Sequence, residues 1–176
     1  MTKLTRAIIM AAEAHDGQVD KNGEPYIFHP LRVMRMGNTE NEQICGLLHD
    51  VVEDGDVVYD VIHRNFGTEV MEALLALTHE KNTPYIDYIK SLHGRMLPRM
   101  VKLNDLQDNL HGGRMEKLPR DIRKRLIRKY VGAFLELCNR DLAFSTIIRA
   151  SMQTSDADCI SDFCEVLLEN GYYKEI

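Results

Sequence analysis

Apolar residues along most of this 176-residue chain recur at intervals of three and four positions, and stretches that alternate apolar with polar residues are few. This spacing is typical of helices that bury one face, whereas alternation would indicate strands. The pattern therefore predicts an all-α protein. Helices are predicted over residues 2–15, from Pro30, from Thr39 to near Gly55, and over 58–65, 68–78, 84–93, 97–110, 120–139 and 157–170.

Capping and turn residues mark several of the predicted helix ends. Thr39 and Glu42 have the spacing of a capping box. The loop "DGQVDKNGEP" contains two glycines and a proline, which resist helix continuation. No repeat or low-complexity linker divides the chain. We therefore expect one domain over residues 1–140, with residues 141–176 as a C-terminal helical extension packed on the same domain.

Composition and charge limit the classes of partner. The net charge is -5, so general affinity for nucleic acid is not expected, and a phosphate-bearing ligand needs a local basic patch or a metal. The four cysteines are scattered without a Cys-x-x-Cys pair, which favours reduced thiols in the cytoplasm. No apolar run approaches the roughly 18 residues of a membrane span, so no membrane partner is expected.

The stretch "LLHDVVED", residues 47–54, places four ionisable side chains in an apolar run. On a helix, His49 and Glu53 lie one turn apart, as do Asp50 and Asp54. Burying these groups without partners would cost many kcal/mol, and a bound cation removes that objection. A His-Asp dipeptide by itself is more often an ordinary contact on a solvated face, so further ligands are needed to favour a metal site.

Two other stretches supply such candidates. "YIFHP" places His29 just before a helix start, and "VKLNDLQDN" places Asp105, Asp108 and Asn109 on one helical face. A mixture of imidazole and carboxylate ligands suits manganese, iron, cobalt or zinc better than calcium or magnesium. By spacing alone, Asp105 and Asp108 compete for the metal.

Six motifs occur in an order that resembles a known family. "AHDGQ", "GEPYIFHP", "LLHDVVED", "FGTEV", "LTHEK" and "VKLNDLQDN" are similar to the hydrolase domain of the RelA/SpoT alarmone enzymes, a branch of the HD phosphohydrolase superfamily. The similarity covers roughly residues 5–135. Because the chain is too short for synthetase and regulatory domains, it resembles the stand-alone small alarmone hydrolases, including the metazoan SpoT homologue. The resemblance implies an HD-domain helical bundle with a metal site in its centre.

The resemblance also implies a role for individual residues. One divalent ion, with manganese as the first choice, would be held by His29, His49, Asp50 and Asp105. The resemblance alone thus selects Asp105 over Asp108. Glu53 and Asp54 match the acidic pair that acts on the nucleophilic water. The implied reaction removes the 3′-pyrophosphate of ppGpp or pppGpp.

Substrate contacts are expected from a second group of residues. Asn109 matches the nucleotide-contacting asparagine of the family's last motif, while Lys21 and Tyr130 fall near substrate-binding positions. The stretch 114–129 carries eight basic side chains, most of which are expected to form a solvated helix face. Arg114 and Lys117 lie nearest the Asn109 motif, so they are the first candidates for the distal phosphates.

His15 and Asp20 lie in the first motif and in the loop that follows it. His15 of "AHDGQ" is expected to support the loop or a neighbouring ligand instead of binding metal directly. Asp20 stands where alarmone hydrolases usually carry an arginine that packs against the guanine base. An aspartate cannot stack in this way and would repel phosphate. The chemistry is therefore expected to be intact, and the base preference stays open.

Three functions remain in view. The first is a hydrolase acting on ppGpp or pppGpp, with a small-molecule nucleotide as its partner. The second keeps the metal chemistry and acts on another phosphorylated nucleotide, such as (p)ppApp or the 2′-phosphate of NADPH. The third is a non-catalytic nucleotide sensor, which would predict loss of the metal or acidic residues, whereas all six positions are filled. Assembly into a homo-oligomer stays open.

Overall fold

The computed structural model describes residues 1–54 and 59–172, and for Glu53 and Asp54 it describes the backbone alone. Within these ranges the chain forms α-helices and no β-strand, apart from one isolated bridge between Val19 and Pro25. The helices are α1 Lys3–Ala14, α2 Phe28–Met36, α3 Glu40–Leu48, α4 Val51–Asp54, α5 Tyr59–Phe66, α6 Thr68–Leu77, α7 Tyr85–Ser91, α8 Met96–Asn109, α9 Gly112–Met115, α10 Arg120–Leu137, α11 Arg140–Ser151 and α12 Ala157–Glu169. Among these described helices, none combines the length and apolar character that a membrane span requires.

Local side-chain chemistry explains several helix ends. Thr39 caps α3 by accepting a hydrogen bond from the backbone N–H of Glu42, and Glu42 accepts from the N–H of Asn38. This arrangement satisfies backbone donors that the first turn leaves free. Gly171 has a φ of 77°, the left-handed conformation that commonly ends a helix. The capping box and this helix end were therefore readable from the sequence.

The predicted helix from Thr39 to Gly55 was wrong in one respect, because it is interrupted at His49 and Asp50. α3 ends at Leu48 and α4 begins at Val51. Nδ1 of His49 donates to the carbonyl oxygen of Gly46 at 2.9 Å. In a continuous helix, that carbonyl would accept from the N–H of Asp50. The histidine ring thus competes with the helical ladder at the point where the ionisable residues begin.

The helix α11 was not predicted. Its sequence, "RDLAFSTIIRAS", places Ser145, Thr146, Ile147 and Ile148 in succession, and serine and β-branched residues favour a helix less than alanine or leucine does. The available signal was Asn139, which caps the helix by accepting from the N–H of Leu142 at 2.9 Å.

Contacts within the chain group it into two compact units, residues 1–105 and residues 106–176. In the first unit α3 is central, since it packs against α1, α2 and α6. Its residues Ile44, Leu47 and Leu48 are fully buried in the core of that unit. The proposed division into residues 1–140 and 141–176 stays a prediction.

In the second unit, α10 packs against α11 and α12. Acidic residues on α12 pair with basic residues on α10: Asp162 with Arg120 and Arg123, Glu165 with Arg120 and Lys124, and Glu169 with Arg128. The expectation that most of this basic stretch is a solvated face is confirmed, since five of its eight basic side chains are exposed: Lys117, Arg120, Arg125, Arg128 and Lys129. Arg123 is itself buried and paired with the buried Asp162, because α12 covers that side of α10.

Candidate metal centre

Four side chains from three parts of the first unit converge on one point. His29 lies in the first turn of α2, His49 and Asp50 follow α3, and Asp105 comes from α8. Nε2 of His29 lies 3.2 Å from Oδ1 of Asp105 and 3.6 Å from Oδ2 of Asp50. Nε2 of His49 lies 3.1 Å from the same Asp50 oxygen and 3.6 Å from the same Asp105 oxygen. Two imidazole nitrogens and two carboxylate oxygens thus face each other.

Close packing of α2 against α3 brings the two histidines together. A Cβ placed on Gly46 would lie 3.0 Å from the backbone nitrogen of Met34 and 3.1 Å from its Cα. Both neighbours are backbone atoms, so they cannot rotate away as a side chain would. Glycine is therefore required for α2 and α3 to approach this closely, and the ring centroids of His29 and His49 end 5.2 Å apart.

The hydrogen bond of His49 fixes which ring nitrogen is free to bind a ligand. Nδ1 donates to the Gly46 carbonyl, which makes Nδ1 the protonated nitrogen of the neutral ring. Nε2 is buried and, among the described residues, has no hydrogen-bond partner, although Asp50 is near. In the neutral ring the lone pair of Nε2 faces two carboxylates, an arrangement that requires a cation, either a metal ion or a proton, between them.

Electrostatics at this cluster are strongly coupled. Burial lowers the pKa of His49, but the charges of Asp50 and Asp105 outweigh it and hold that pKa well above its ordinary value. Burial raises the pKa of Asp50, yet the charge of the adjacent His49 outweighs burial and holds that pKa below its ordinary value. A proton on His49 therefore compensates the carboxylates when no cation does. A divalent cation would replace that proton, because metal ligands must be deprotonated.

The donor set fits a divalent cation. The ligand atoms of His29, His49 and Asp105 all lie within 4.8 Å of one another, and all three residues are buried. Asp50 adds a fourth ligand atom, a second carboxylate oxygen, 3.1 Å from Nε2 of His49. Uncompensated carboxylates at this depth would be costly, and mixed nitrogen and oxygen ligands suit a transition-metal ion.

Sequence reasoning missed two residues that hold the aspartates. Lys102 places Nζ 2.7 Å from Oδ2 of Asp105, and Tyr26 donates its hydroxyl to Oδ2 of Asp50 at 2.5 Å. Lys102 lies one helical turn before Asp105, a spacing that could have indicated the pair. Tyr26 precedes Asp50 by 24 positions, so no local signal connected them.

Comparison with known sequences now bears on this site. Residues 7–96, just over half of the chain, match the sequence profile of the HD domain. The chain belongs to the HD-domain family. The predicted fold class, an all-α HD-domain bundle, is thereby confirmed.

Curated relatives extend the likeness of this HD-domain protein. It is 32% identical over 120 residues to guanosine-3′,5′-bis(diphosphate) 3′-pyrophosphohydrolase of Aquifex aeolicus, covering 61% of this chain and 17% of the relative. It is 29% identical over 151 residues to the bifunctional (p)ppGpp synthase/hydrolase SpoT of Escherichia coli K12, covering 78% of this chain and 22% of the relative. The chain thus spans about a fifth of the length of these relatives.

A solved structure shows the same fold. It is that of a metazoan orthologue of SpoT, described as hydrolysing ppGpp and acting in starvation responses. The TM-score is 0.70, and the match covers 98% of both chains at 19% identity. At this level of identity the likeness concerns the fold of the HD-domain protein and not its substrate.

Three further residues of the HD-domain protein were predicted to act in catalysis or substrate binding: Glu53, Asp54 and Lys21. The side chains of Glu53 and Asp54, predicted to be catalytic, lie outside the described residues. Lys21 is exposed in the turn before α2. The predictions for these residues stay predictions.

In the second unit, the structure brings two predicted substrate residues together. Arg114 donates to Oδ2 of Asp108 at 2.5 Å and to Oδ1 of Asn109 at 3.4 Å. Asp108, which competed with Asp105 by spacing, thus has a buried position beside an arginine. Lys117 is exposed, and Tyr130 is half-buried with the Lys129 ammonium 5.8 Å from its ring centre.

Proposed function

We propose that this HD-domain protein is a metal-dependent phosphohydrolase that removes the 3′-pyrophosphate from ppGpp or pppGpp, giving GDP or GTP and pyrophosphate. The observation that carries the proposal is the cluster of two histidines and two aspartates. Nε2 of His29 and Nε2 of His49 each lie within 3.6 Å of a carboxylate oxygen of Asp50 and of Asp105. Support for the substrate comes from relatives named as 3′-pyrophosphohydrolases of this nucleotide.

His29, His49, Asp50 and Asp105 would hold one divalent ion, and we propose manganese as that ion. Once bound, such an ion supplies a lowered pKa for a water molecule and neutralises charge on phosphate oxygens. The need for this neutralisation is plain in a protein whose net charge is -5. Calcium and magnesium are disfavoured because two of the four proposed ligands are imidazoles.

The chain's own acidic pair would manage the protons. Glu53 or Asp54 would orient the attacking water and accept its proton as the oxygen approaches phosphorus. The bond between phosphorus and the 3′-oxygen of the ribose would break, and the 3′-oxygen would regain a proton. Asn109, Arg114, Lys117, Lys21 and Tyr130 are proposed to contact the nucleotide.

The direct test measures pyrophosphate release from ppGpp by protein loaded with manganese, together with metal content. We expect Glu53→Ala to keep the metal and lose turnover, because it removes the proton acceptor and no ligand. We expect Asp105→Ala to lose both. Equal activity in the Glu53 variant would remove Glu53 from the mechanism, and wild-type protein that retains no divalent metal would overturn the proposal.

A second candidate substrate is favoured by Asp20. Its Oδ1 accepts hydrogen bonds from the backbone N–H groups of Asn22 at 2.8 Å and Glu24 at 3.1 Å. The carboxylate therefore shapes the turn before α2, in the position where the family resemblance implies an arginine for the guanine base. Adenosine alarmones and the 2′-phosphate of NADPH should be assayed beside ppGpp. Turnover of one of these substrates in preference to ppGpp would reassign the base preference and keep the metal chemistry.

The alternative function is a nucleotide sensor without catalytic activity. Metal-loaded protein that binds ppGpp without cleaving any of these substrates would favour the sensor.

We also propose a cytoplasmic location, which the free state of all four cysteines supports.

A further inference from the structure

Tyr26 links the loop before α2 to the proposed metal centre. Its hydroxyl donates to Oδ2 of Asp50 at 2.5 Å. The same oxygen lies 3.1 Å from Nε2 of His49 and 3.6 Å from Nε2 of His29. Tyr26 therefore contacts the particular oxygen of Asp50 that faces the centre of the cluster.

Asp50 needs such a partner more than Asp105 does. It lies at the interruption between α3 and α4, and its side chain is 20% exposed, against 6% for Asp105. Asp105 lies within a continuous helix and has the Lys102 ammonium at 2.7 Å. The carboxylate of Asp105 is oriented by α8 and by Lys102. The hydroxyl of Tyr26 orients the carboxylate of Asp50 in the same way.

Tyr26 is itself held by the "AHDGQ" segment. The ring of buried His15 lies 4.9 Å from the tyrosine ring, centre to centre. Nδ1 of His15 donates to Oε1 of Gln18 at 3.0 Å, and the carbonyl of Gln18 accepts from the N–H of Tyr26 at 2.9 Å. The segment thus fixes both the backbone and the ring of Tyr26, which explains why this motif lies beside the site without providing a ligand.

We infer that Tyr26 is a positioning residue that orients the Asp50 carboxylate for metal binding, with "AHDGQ" as its support. The inference rests on the metal site of the proposed function. Hydrogen bonds to ligating carboxylates typically change metal affinity about 10- to 100-fold when removed, because the ligand must otherwise be ordered during binding.

The test compares Tyr26→Phe with Tyr59→Phe. Tyr59 donates or accepts a hydroxyl hydrogen bond with Thr78 at 2.9 Å in the same unit. Each substitution removes one hydroxyl group, that of Tyr26 bonded to the proposed ligand Asp50 and that of Tyr59 bonded to Thr78. Manganese affinity is measured by calorimetry on each 176-residue protein, and thermal unfolding is measured in a chelator.

We expect manganese affinity to fall about 10- to 100-fold in Tyr26→Phe and to stay at the wild-type value in Tyr59→Phe. In the chelator, the two variants should unfold at similar temperatures. Unchanged affinity in Tyr26→Phe, with normal binding by wild type, would overturn the inference alone. A much lower unfolding temperature for Tyr26→Phe than for Tyr59→Phe would also overturn it in favour of a structural role. Failure of wild type to bind manganese or any other divalent transition metal would overturn the proposed function itself.

Discussion

Nζ of Lys102 lies 2.7 Å from Oδ2 of Asp105, while Oδ1 of the same carboxylate lies 3.2 Å from Nε2 of His29. The carboxylate is therefore divided between a structural partner and the proposed metal centre. Burial lowers the pKa of Lys102, but the charge of Asp105 outweighs it and raises that pKa well above its ordinary value. The lysine is thus a half-buried positive charge that lies against the buried Asp105.

This division predicts that two aspartates of one site differ in their effect on stability. Asp105→Asn should lose metal binding and destabilise the metal-free protein by about 3 kcal/mol, because Lys102 is left without its buried counter-charge. Asp50→Asn should also lose metal binding, yet it removes no lysine's partner and should cost much less. Urea unfolding of both variants in a chelator makes the comparison. Equal destabilisation of the two would show that the Lys102 pair contributes nothing special.

Gly46 predicts a link between helix packing and metal binding. Gly46→Ala should force α2 and α3 apart, because the new Cβ meets the backbone of Met34 at 3.0 Å. We expect a loss of about 1–3 kcal/mol in stability, together with weaker metal binding, since His29 and His49 would separate.

Gly132 provides the matched control for Gly46. A Cβ at Gly132, within α10, meets nothing within 4 Å. Gly132→Ala should therefore stabilise the protein by about 0.5–1 kcal/mol and leave metal affinity unchanged. Calorimetry and denaturant unfolding give both quantities. A harmless Gly46→Ala would mean that α2 and α3 can separate without cost.

Metal addition should stabilise the folded protein. Manganese at about one hundred times its dissociation constant should add roughly 2.7 kcal/mol, since it binds the folded state. For a chain of this size the melting temperature should rise by about 5 °C or more. The same concentration of calcium should have a smaller effect, because imidazole ligands do not suit it. A rise with manganese that persists in Asp105→Asn would place the binding elsewhere.

Asp162 predicts a dependence of stability on acidity. Burial raises the pKa of Asp162, but hydrogen bonds from Arg120 and Arg123 outweigh it, so the pKa lies below the ordinary value. A group whose pKa is lower in the folded state stabilises the protein above its unfolded pKa of 3.8 and loses that contribution as the pH falls through the folded value. Asp162→Asn should therefore cost about 3 kcal/mol at neutral pH, because Arg123 stays buried without its charge partner.

The pH dependence separates this pair from the other acids of the chain. The stability difference between wild type and Asp162→Asn should shrink as the pH falls from about 4 to below the folded pKa of Asp162, because the wild-type carboxylate is protonated first in the unfolded chain and then in the folded protein. Arg128→Gln is the control, since the Arg128–Glu169 pair is exposed and should change the melting temperature little. A difference that stays constant from pH 7 to pH 3 would contradict the ionic origin of the effect.

The sequence by itself determined the class of fold and indicated which residues form the proposed metal site. Apolar spacing predicted the helices because a helix of period 3.6 must bury one face, and Thr39 and Gly171 marked helix ends through purely local chemistry. His29, His49, Asp50 and Asp105 were selected through the chemistry of their side chains and a family resemblance, both of which are carried by short motifs.

Only the tertiary structure decided how these groups are held. The interruption at His49 depends on a ring that competes with the helix for the Gly46 carbonyl, and the support of Asp50 by Tyr26 joins residues 24 positions apart. The pairing of Arg123 with Asp162, across 39 positions, likewise buries one arginine of a basic stretch that is otherwise mostly exposed. Periodicity records which side of a helix is apolar. Which distant side chain meets it depends on how the helices pack, and that information is not local in the chain.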